Sequence, residues 1–326
     1  MLIVRTPVRI SFAGGGSDYK EHYLKYGGAV LNATIDKYTY LSVRYLPPFF
    51  DFKHRIVYSR IEDVNDINEI QHPSVRECLK FMQVDRGIEI NHAGDLPARS
   101  GIGSSSTFTV GLLNAIHTLQ GKPISKFNLG MEAIHVEQDL IKENVGSQDQ
   151  LAAACGGINL IEFDTRQPQM TRLNISRQRI KKLEERLILV FTGFQHNASE
   201  IAKTYNFKER TKELETMKGM ARIAYALLLD NKLTEFGELL DEAWKYKKTL
   251  SDKITTPYTD YVYGLAKTAG AIGGKTCGAG GGGFMLLYAE PDKREDVLKA
   301  LKGMTVVPFK FEESGSKVIV NNGAIG

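Results

Sequence analysis

Apolar positions along the chain switch between a period that suits strands and one that suits helices. Leu2 to Phe12 and Tyr38 to Arg44 are rich in β-branched and aromatic residues and read as strands, and Ile88 to His92 reads as another that ends at a turn around Gly94 and Asp95. Between them, Pro73 to Met82 carries apolar residues at helical spacing. From Ser104 to Leu119 the positions Phe108, Leu112, Leu113, Ile116 and Leu119 recur three and four apart, and Ser125 caps a second helix running to about Ile141. After Gly156-Gly157 a strand, Ile158 to Phe163, closes this half. Arg166, Gln167 and Pro168 then break the pattern. A strand at Leu187 to Thr192 precedes helix signals from Ser199 to about Ala269, interrupted near Asn231 and Pro257. The glycine-rich stretch Gly273 to Gly283, a strand Phe284 to Ala289, a helix Asp292 to Leu301 and strands near Val306 to Phe311 and Lys317 to Val320 complete the chain.

Strands and helices mix without repeats, low-complexity tails or a linker. That predicts an α+β fold of two domains, residues 1–165 and 166–326, with the ligand site between them. The length, 326 residues with 42% apolar, is ample for two cores. Lys and Arg number 42 against 38 Asp and Glu, a formal +4, and no run of five like charges offers a nucleic-acid tail. Cys78, Cys155 and Cys277 include no C-x-x-C pair, which argues against a disulfide framework or zinc ribbon and for a reducing compartment. The apolar opening Met1 to Val4 is stopped by Arg5 and Arg9, and no stretch approaches about 18 apolar residues. The expectation is a cytoplasmic protein with no nucleic-acid or membrane partner; homo-oligomerisation is left open.

Three glycine-rich segments carry the chemistry. In L-P-A-R-S-G-I-G-S-S-S, from Leu96 to Ser106, Gly101 and Gly103 stand immediately before a helix whose first turn is Ser104, Ser105 and Ser106. Free N–H groups and the positive end of the dipole at a helix start bind phosphate, and serine hydroxyls can bond phosphate or reach magnesium. Capping alone needs one serine, and three are present. Pro97, Ser100, Gly101, Ile102, Gly103, Ser104, Ser105 and Ser106 are therefore the candidate nucleotide contacts.

The second segment, T-P-V-R-I-S-F-A-G-G-G-S-D-Y from Thr6 to Tyr19, invites a dinucleotide reading because Asp36 lies about twenty residues on. The spacing rejects it: with Gly14 and Gly16 in the first two positions of G-x-G-x-x-G, the third falls on Tyr19. A turn presenting Gly15, Gly16, Ser17 and Asp18 suits a polyol, whose hydroxyls a carboxylate accepts. The third segment, Gly273 to Gly283, nearly spells a Walker motif between Ala269 and Thr276, but it follows helix signals and precedes a strand, the reverse of a P-loop. Its run of four glycines, Gly280 and Gly281 among them, predicts close approach to a ligand or to the neighbouring phosphate loop.

Asp149, after a glycine turn and at a helix start in V-G-S-Q-D-Q, can receive the proton of an attacking hydroxyl, while Glu137 or Asp139 could hold magnesium. Cys155, His135 and His196 sit in no nucleophile motif, and Trp244 lies in a packed helical pattern.

In this order the three segments resemble those of the GHMP kinases (galacto-, homoserine, mevalonate and phosphomevalonate kinases). Pro97 to Ser105 match P-x-x-x-G-[LI]-G-S-S, and Lys275 to Gly282 match K-x-x-G-A-G-G-G. The resemblance implies a ribosomal-S5-like N-terminal domain, a ferredoxin-like C-terminal domain and ATP with Mg²⁺ at the serine loop. It further implies Asp149 as the catalytic carboxylate, Arg9 as the cation beside it, Ser105 and Glu137 as magnesium ligands, and Asp18 as a holder of sugar hydroxyls. Galactokinases read G-E-H-T-D where this chain has G-G-G-S-D. The triple glycine, G-S-Q-D-Q and G-A-G-G-G-G-F-M look like the bacterial D-glycero-D-manno-heptose 7-phosphate kinases, which implies a sugar phosphate partner and phosphorylation of its anomeric hydroxyl. Another sugar-1-kinase, of fucose or galactose type, and a binding protein on a kinase fold are the alternatives.

Overall fold

The structure is a computed structural model that describes residues 1–193, 201–205 and 207–322. Strand β1 (Leu2–Ala13) leads through a short helix, α1 (Lys20–Tyr26), into the long strand β2 (Gly28–Tyr45). The two pair antiparallel, with register shifts between Pro7 and Arg9 and between Ser11 and Ala13. Such irregularities bend a strand and re-aim the side chains beside them, and Arg9 follows the first one directly. The far end of β2 carries β5 (Ile88–Gly94), to which β3 (His54–Val57) adds in parallel and then β4 (Ile61–Val64). Its near end carries β6 (Ile158–Phe163) and, through it, β7 (Gln169–Arg172). On the other edge β12 (Lys317–Asn321) lies antiparallel to β1, giving the order β12-β1-β2-β5-β3-β4 with β6 and β7 branching from β2.

Helices α2 (Pro73–Phe81), α3 (Ser104–Leu119), α4 (Lys126–His135) and α5 (Gln148–Cys155) cover one face of this sheet. Val4, Leu41, Val43 and Ile90 from the strands pack there with Leu79, Leu112, Ile116 and Leu129 from the helices. Each such side chain contributes about 1.5–3 kcal/mol by leaving water. Ser125 caps α4, its hydroxyl accepting from the Asn128 amide at 3.1 Å.

The second sheet, in the order β11-β8-β10-β9, is antiparallel throughout: β8 (Leu187–Phe191), β9 (Gly273–Thr276), β10 (Phe284–Tyr288) and β11 (Thr305–Val307). Period-two alternation gives it two apolar faces. Leu187, Leu189, Leu286 and Tyr288 join Ile10, Phe12 and Leu31 of the first sheet, together with α7 (Thr211–Leu229) and α8 (Leu233–Lys248), in one shared core. Ile188, Val190, Met285 and Leu287 pack on α9 (Pro257–Thr268) and α10 (Arg294–Ala300). Helix α6 (Arg177–Glu184) leads into β8.

The architecture is α+β, as the patterning predicts, and α3 has the expected limits. The helix expected to run to about Ile141 does so, but its last turn, Val136–Leu140, widens into a π turn. Gly273 to Thr276, expected as part of a glycine-rich loop, is the edge strand β9. The strand near Val306 to Phe311 shortens to Thr305–Val307, Phe311 forming only an isolated bridge with Ile35. Strands β7 and β12 follow residue 165 in sequence yet belong to the first sheet, so the chain recrosses the expected domain boundary. His196 and the expected helix start at Ser199 lie outside the described residues. Among those described, no helix is long and apolar enough to cross a membrane.

Candidate active site

The loop before α3 is pinned at its centre. Ile102 is fully buried in the shared core, and its carbonyl accepts the Arg9 amide at 3.1 Å. On either side Gly101 (φ 82°) and Gly103 (φ 74°) adopt the left-handed region that side chains avoid. Gly103 is the N-cap and offers no side-chain cap; the first bond of the helix is Thr107 N–H to the Gly103 carbonyl, at 2.9 Å. The amides of Ser104, Ser105 and Ser106 consequently have no acceptor among the described residues, and free amides at a helix start suit an anion. The hydroxyls are used differently. Ser100 Oγ donates to the Pro97 carbonyl (2.6 Å) and Ser104 Oγ accepts the Arg99 amide (3.2 Å), which brace the loop. Ser105 is exposed, and Ser106 Oγ donates to Glu137 Oε2 at 2.8 Å.

Asp149 lies in the first turn of α5 directly under this loop, and a Cβ on Gly103 would stand 3.1 Å from its Oδ2. Arg9 grips it with both prongs of the guanidinium, Nε to Oδ1 at 2.7 Å and Nη2 to Oδ2 at 2.6 Å, and sends Nη1 to the Gly101 carbonyl at 2.7 Å. Burial disfavours the Arg9 charge, but the Asp149 carboxylate outweighs it and the net shift is upward. The Arg9 side chain is 5% exposed and that of Asp149 21%, so the carboxylate is the member of the pair that a ligand can reach.

Asp18 completes this side. Its Oδ1 accepts the Gly16 amide and its Oδ2 the Gln148 side-chain amide, both at 2.9 Å. Burial pushes its pKa up, and the nearby Asp149 charge adds to the shift. Gly15 faces Gln148 and Ser11. Ser17 serves the backbone, bonding the Gly14 carbonyl (2.8 Å) and both main-chain groups of Ala29 (3.1 Å each).

Glu137 sits in the π turn, wholly buried. Ser106 and Gln150 both donate to its Oε2, whereas the buried Oε1 has no partner. Desolvation, reinforced by Glu143, raises its pKa to about 7. Among the described residues no group of three or more His, Cys, Asp and Glu could hold a metal ion alone. An orphaned carboxylate oxygen beside serine hydroxyls and free amides does fit a divalent cation that a bound polyphosphate also ligates.

The loop Cys277 to Gly283 backs the serine loop. A Cβ on Gly101 would stand 2.6 Å from the Cys277 carbonyl, and one on Gly278 would stand 2.6 Å from Gly101. The Phe284 amide donates to the Ser100 carbonyl at 3.1 Å. Gly280 packs on Ile254, whose carbonyl accepts the Gly281 amide at 2.7 Å, so that amide is already used. Tyr205 Oη donates to the Ala279 carbonyl at 2.7 Å, and Lys247 Nζ donates to the Gly278 carbonyl. Gln148, Gln150, Lys247 and Tyr205 escape sequence reasoning. Only the G-S-Q-D-Q run, which surrounds Asp149 with amides, offers a signal for the first two.

Comparison with known proteins bears on this geometry. The model of the GHMP kinases N terminal domain matches residues 73–157, which hold the serine loop and Asp149, and that of the GHMP kinases C terminal matches residues 224–304, which hold the glycine loop. The chain is 30% identical to the D-glycero-alpha-D-manno-heptose 7-phosphate kinase of Campylobacter jejuni, over 96% of this chain and 97% of that protein. This chain belongs to the GHMP kinases. The kinase is 25% identical to the L-fucokinase/L-fucose-1-P guanylyltransferase of Bacteroides fragilis, over 88% of its own length and 34% of that protein. In fold it superposes with a TM-score of 0.82 on a D-glycero-D-manno-heptose 1-phosphate kinase from Bacteroides thetaiotaomicron, at 25% identity, covering 99% of this kinase and 100% of that chain. The family likeness implied by the three glycine-rich motifs therefore holds, and the chain is an ATP-dependent kinase.

Proposed function

We propose that this sugar kinase transfers the γ-phosphoryl group of ATP to the anomeric hydroxyl of D-glycero-D-manno-heptose 7-phosphate, giving the 1,7-bisphosphate. The observation that carries the reading is the two-pronged Arg9–Asp149 pair lying directly beneath a helix start with three free amides. A nucleotide polyphosphate fits the amides of Ser104 to Ser106, with its terminal group toward Asp149. Asp149, held in one orientation by Arg9, aligns the attacking hydroxyl and receives its proton as the bond to phosphorus forms. In a loose phosphoryl-transfer transition state, alignment and charge complementarity carry most of the catalysis. Arg9 stabilises the charge that develops. Asp18, fixed by Gly16 and Gln148, accepts hydrogen bonds from neighbouring sugar hydroxyls. Glu137, through its unpartnered Oε1, and a first-turn hydroxyl of α3, Ser105 or Ser106, would hold magnesium, which when bound neutralises the β- and γ-oxygens.

The substrate assignment is supported by the Campylobacter jejuni relative, which aligns over nearly all of both chains. The names of the two heptose relatives put the phosphate on different carbons, so the phosphorylated position needs its own test. A cytoplasmic setting, which supplies ATP and keeps thiols reduced, suits three unpaired cysteines. The experiment is an ADP-release assay on heptose 7-phosphate, heptose 1-phosphate, fucose and galactose, with phosphorus NMR of the product. Turnover of heptose 7-phosphate with a new anomeric phosphate is expected. Turnover of a neutral sugar alone would replace the substrate, and ATP binding without turnover of any sugar would favour the binding-protein alternative.

A further inference from the structure

Two buried ammonium groups lie behind the glycine loop and have no part in the transfer just described. Lys247, near the end of α8, is 3% exposed, and Lys275, in β9, is 4% exposed. Lys275 Nζ donates to the Ser11 carbonyl at 2.6 Å. Lys247 Nζ donates to the carbonyls of Thr276, at 3.4 Å, and Gly278. Every hydrogen-bond partner of the pair is thus a neutral carbonyl, and among the described residues neither ammonium forms a salt bridge with a carboxylate. A buried cation without a counterion is costly and persists only where something offsets its charge.

The charged and titratable groups around the pair do not supply that offset. Lys275 faces Arg9 and Cys277; Lys247 faces Lys275, Cys277, Arg9 and Asp18. Burial pushes the Cys277 thiol up, so it carries no charge at neutral pH. Arg9 is committed to Asp149, and among the described residues Asp18 is the carboxylate that favours the charged form of Lys247. With both lysines protonated, three cations would stand against two carboxylates in a buried compartment behind the glycine loop that touches the serine loop. The compartment is mechanically coupled to that loop as well, through the close contact of Gly278 with Gly101 and the bond from the Phe284 amide to the Ser100 carbonyl. By occupying the carbonyls of Thr276 and Gly278, the Lys247 ammonium also turns those oxygens inward, away from an incoming anion.

We propose that Lys247 and Lys275 are positioning residues that brace the glycine loop against the serine loop and whose positive charge is balanced by the phosphoryl groups bound there. The proposal rests on the reading that the serine loop binds the nucleotide. It carries a signature that simple packing lacks. Burial lowers the Lys275 pKa to about 8 and holds Lys247 well below its ordinary range. An arriving polyphosphate favours the ammonium form of both, so binding above pH 8 draws protons onto the protein, and affinity falls as pH rises through that range.

The test is calorimetric titration of the full chain with a non-hydrolysable ATP analogue and Mg²⁺ at pH 8.5, in two buffers of different ionisation enthalpy. The wild type should take up about half a proton or more per nucleotide bound. Lys275→Met should take up less and bind the analogue about tenfold more weakly, with a smaller change in kcat than in KM for ATP. Lys275→Arg, which stays charged throughout, should bind nearly as the wild type does but with reduced proton uptake. Wild-type binding with no proton uptake would overturn the proposal, as would a Lys275→Met protein that binds like the wild type. If Lys275→Met fails to fold, the wild-type and Lys275→Arg titrations still decide. A wild type that binds no nucleotide would instead overturn the serine-loop reading, and this proposal with it.

Discussion

The serine loop and the glycine loop are both rich in glycine and touch one another, but they use their backbones in opposite ways. Around Gly101 and Gly103 the chain turns its amides outward and leaves those of Ser104 to Ser106 free for a ligand. Around Gly278 to Gly283 the polar backbone groups are consumed internally: the Gly281 amide by Ile254, the Ala279 carbonyl by Tyr205, the Gly278 carbonyl by Lys247 and the Gly283 carbonyl by the Thr192 amide. On the proposed reading, one loop binds the nucleotide and the other supports it. The contrast shows that glycine content alone does not identify a phosphate loop; where the N–H groups point does.

The largest expected effect falls on the binding side. Asp149→Asn should lower kcat by about 10²–10⁴ while leaving ATP affinity nearly intact, measured by ADP release alongside nucleotide titration; an unchanged rate would remove Asp149 from the mechanism. Glu137 tests whether the serine-loop side carries a cost until its ligands arrive. Its folded pKa of about 7 lies above the ordinary glutamate value of 4.5, so the folded state holds the extra proton between those values and stability falls as pH rises through them. For a wholly buried group the shift corresponds to about 3 kcal/mol. Urea unfolding of the ligand-free protein at pH 5 and pH 8 should therefore show Glu137→Gln gaining relative to the wild type at the higher pH. Parallel pH profiles for the two proteins would contradict the assignment.

Gly278→Ala tests the supporting side. Its φ of 61° and the 2.6 Å approach to Gly101 leave no room for a methyl group. A loss of about 1–3 kcal/mol in stability and a raised KM for ATP should follow. A change in kcat alone, at an unaltered melting temperature, would move the glycine loop into the ligand site. The smallest effect belongs to Tyr205→Phe, which removes the hydroxyl bond to Ala279 and should cost about 1 kcal/mol of stability with little change in kcat.

What the sequence made legible was local. Helix α3 shows its limits because five apolar residues recur at helical spacing behind a glycine pair, and Asp149 is conspicuous at a helix start after Gly146. The Arg9–Asp149 pair is 140 residues apart in the chain, and Arg9 stands just after a register shift in β1, which no spacing rule reports. Strand β9 was hidden because Gly273 and Gly274 look like a turn; they are admitted to a strand because the backbones of Gly237 and Leu286 press on them too closely for a Cβ. Lys247 was invisible for a related reason: its helix reads as an ordinary amphipathic one, and only the fold reveals that a charged position has been buried. The motif resemblance points to Ser105, yet Ser106, about 100° further round the helix, is the serine that the structure joins to Glu137.

Strand β12 has a consequence for how the enzyme comes into being. Residues 317–321 flank residues 2–5, and the hydroxyls of Thr6 and Ser316 meet across a sequence separation of 310. During synthesis the β1 edge therefore stays unpaired until residues 317–321 have emerged, an edge open to mispairing and to chaperones. Because that edge belongs to the strand bearing Arg9, β1 gains neighbours on both sides only after residues 317–321 have been added.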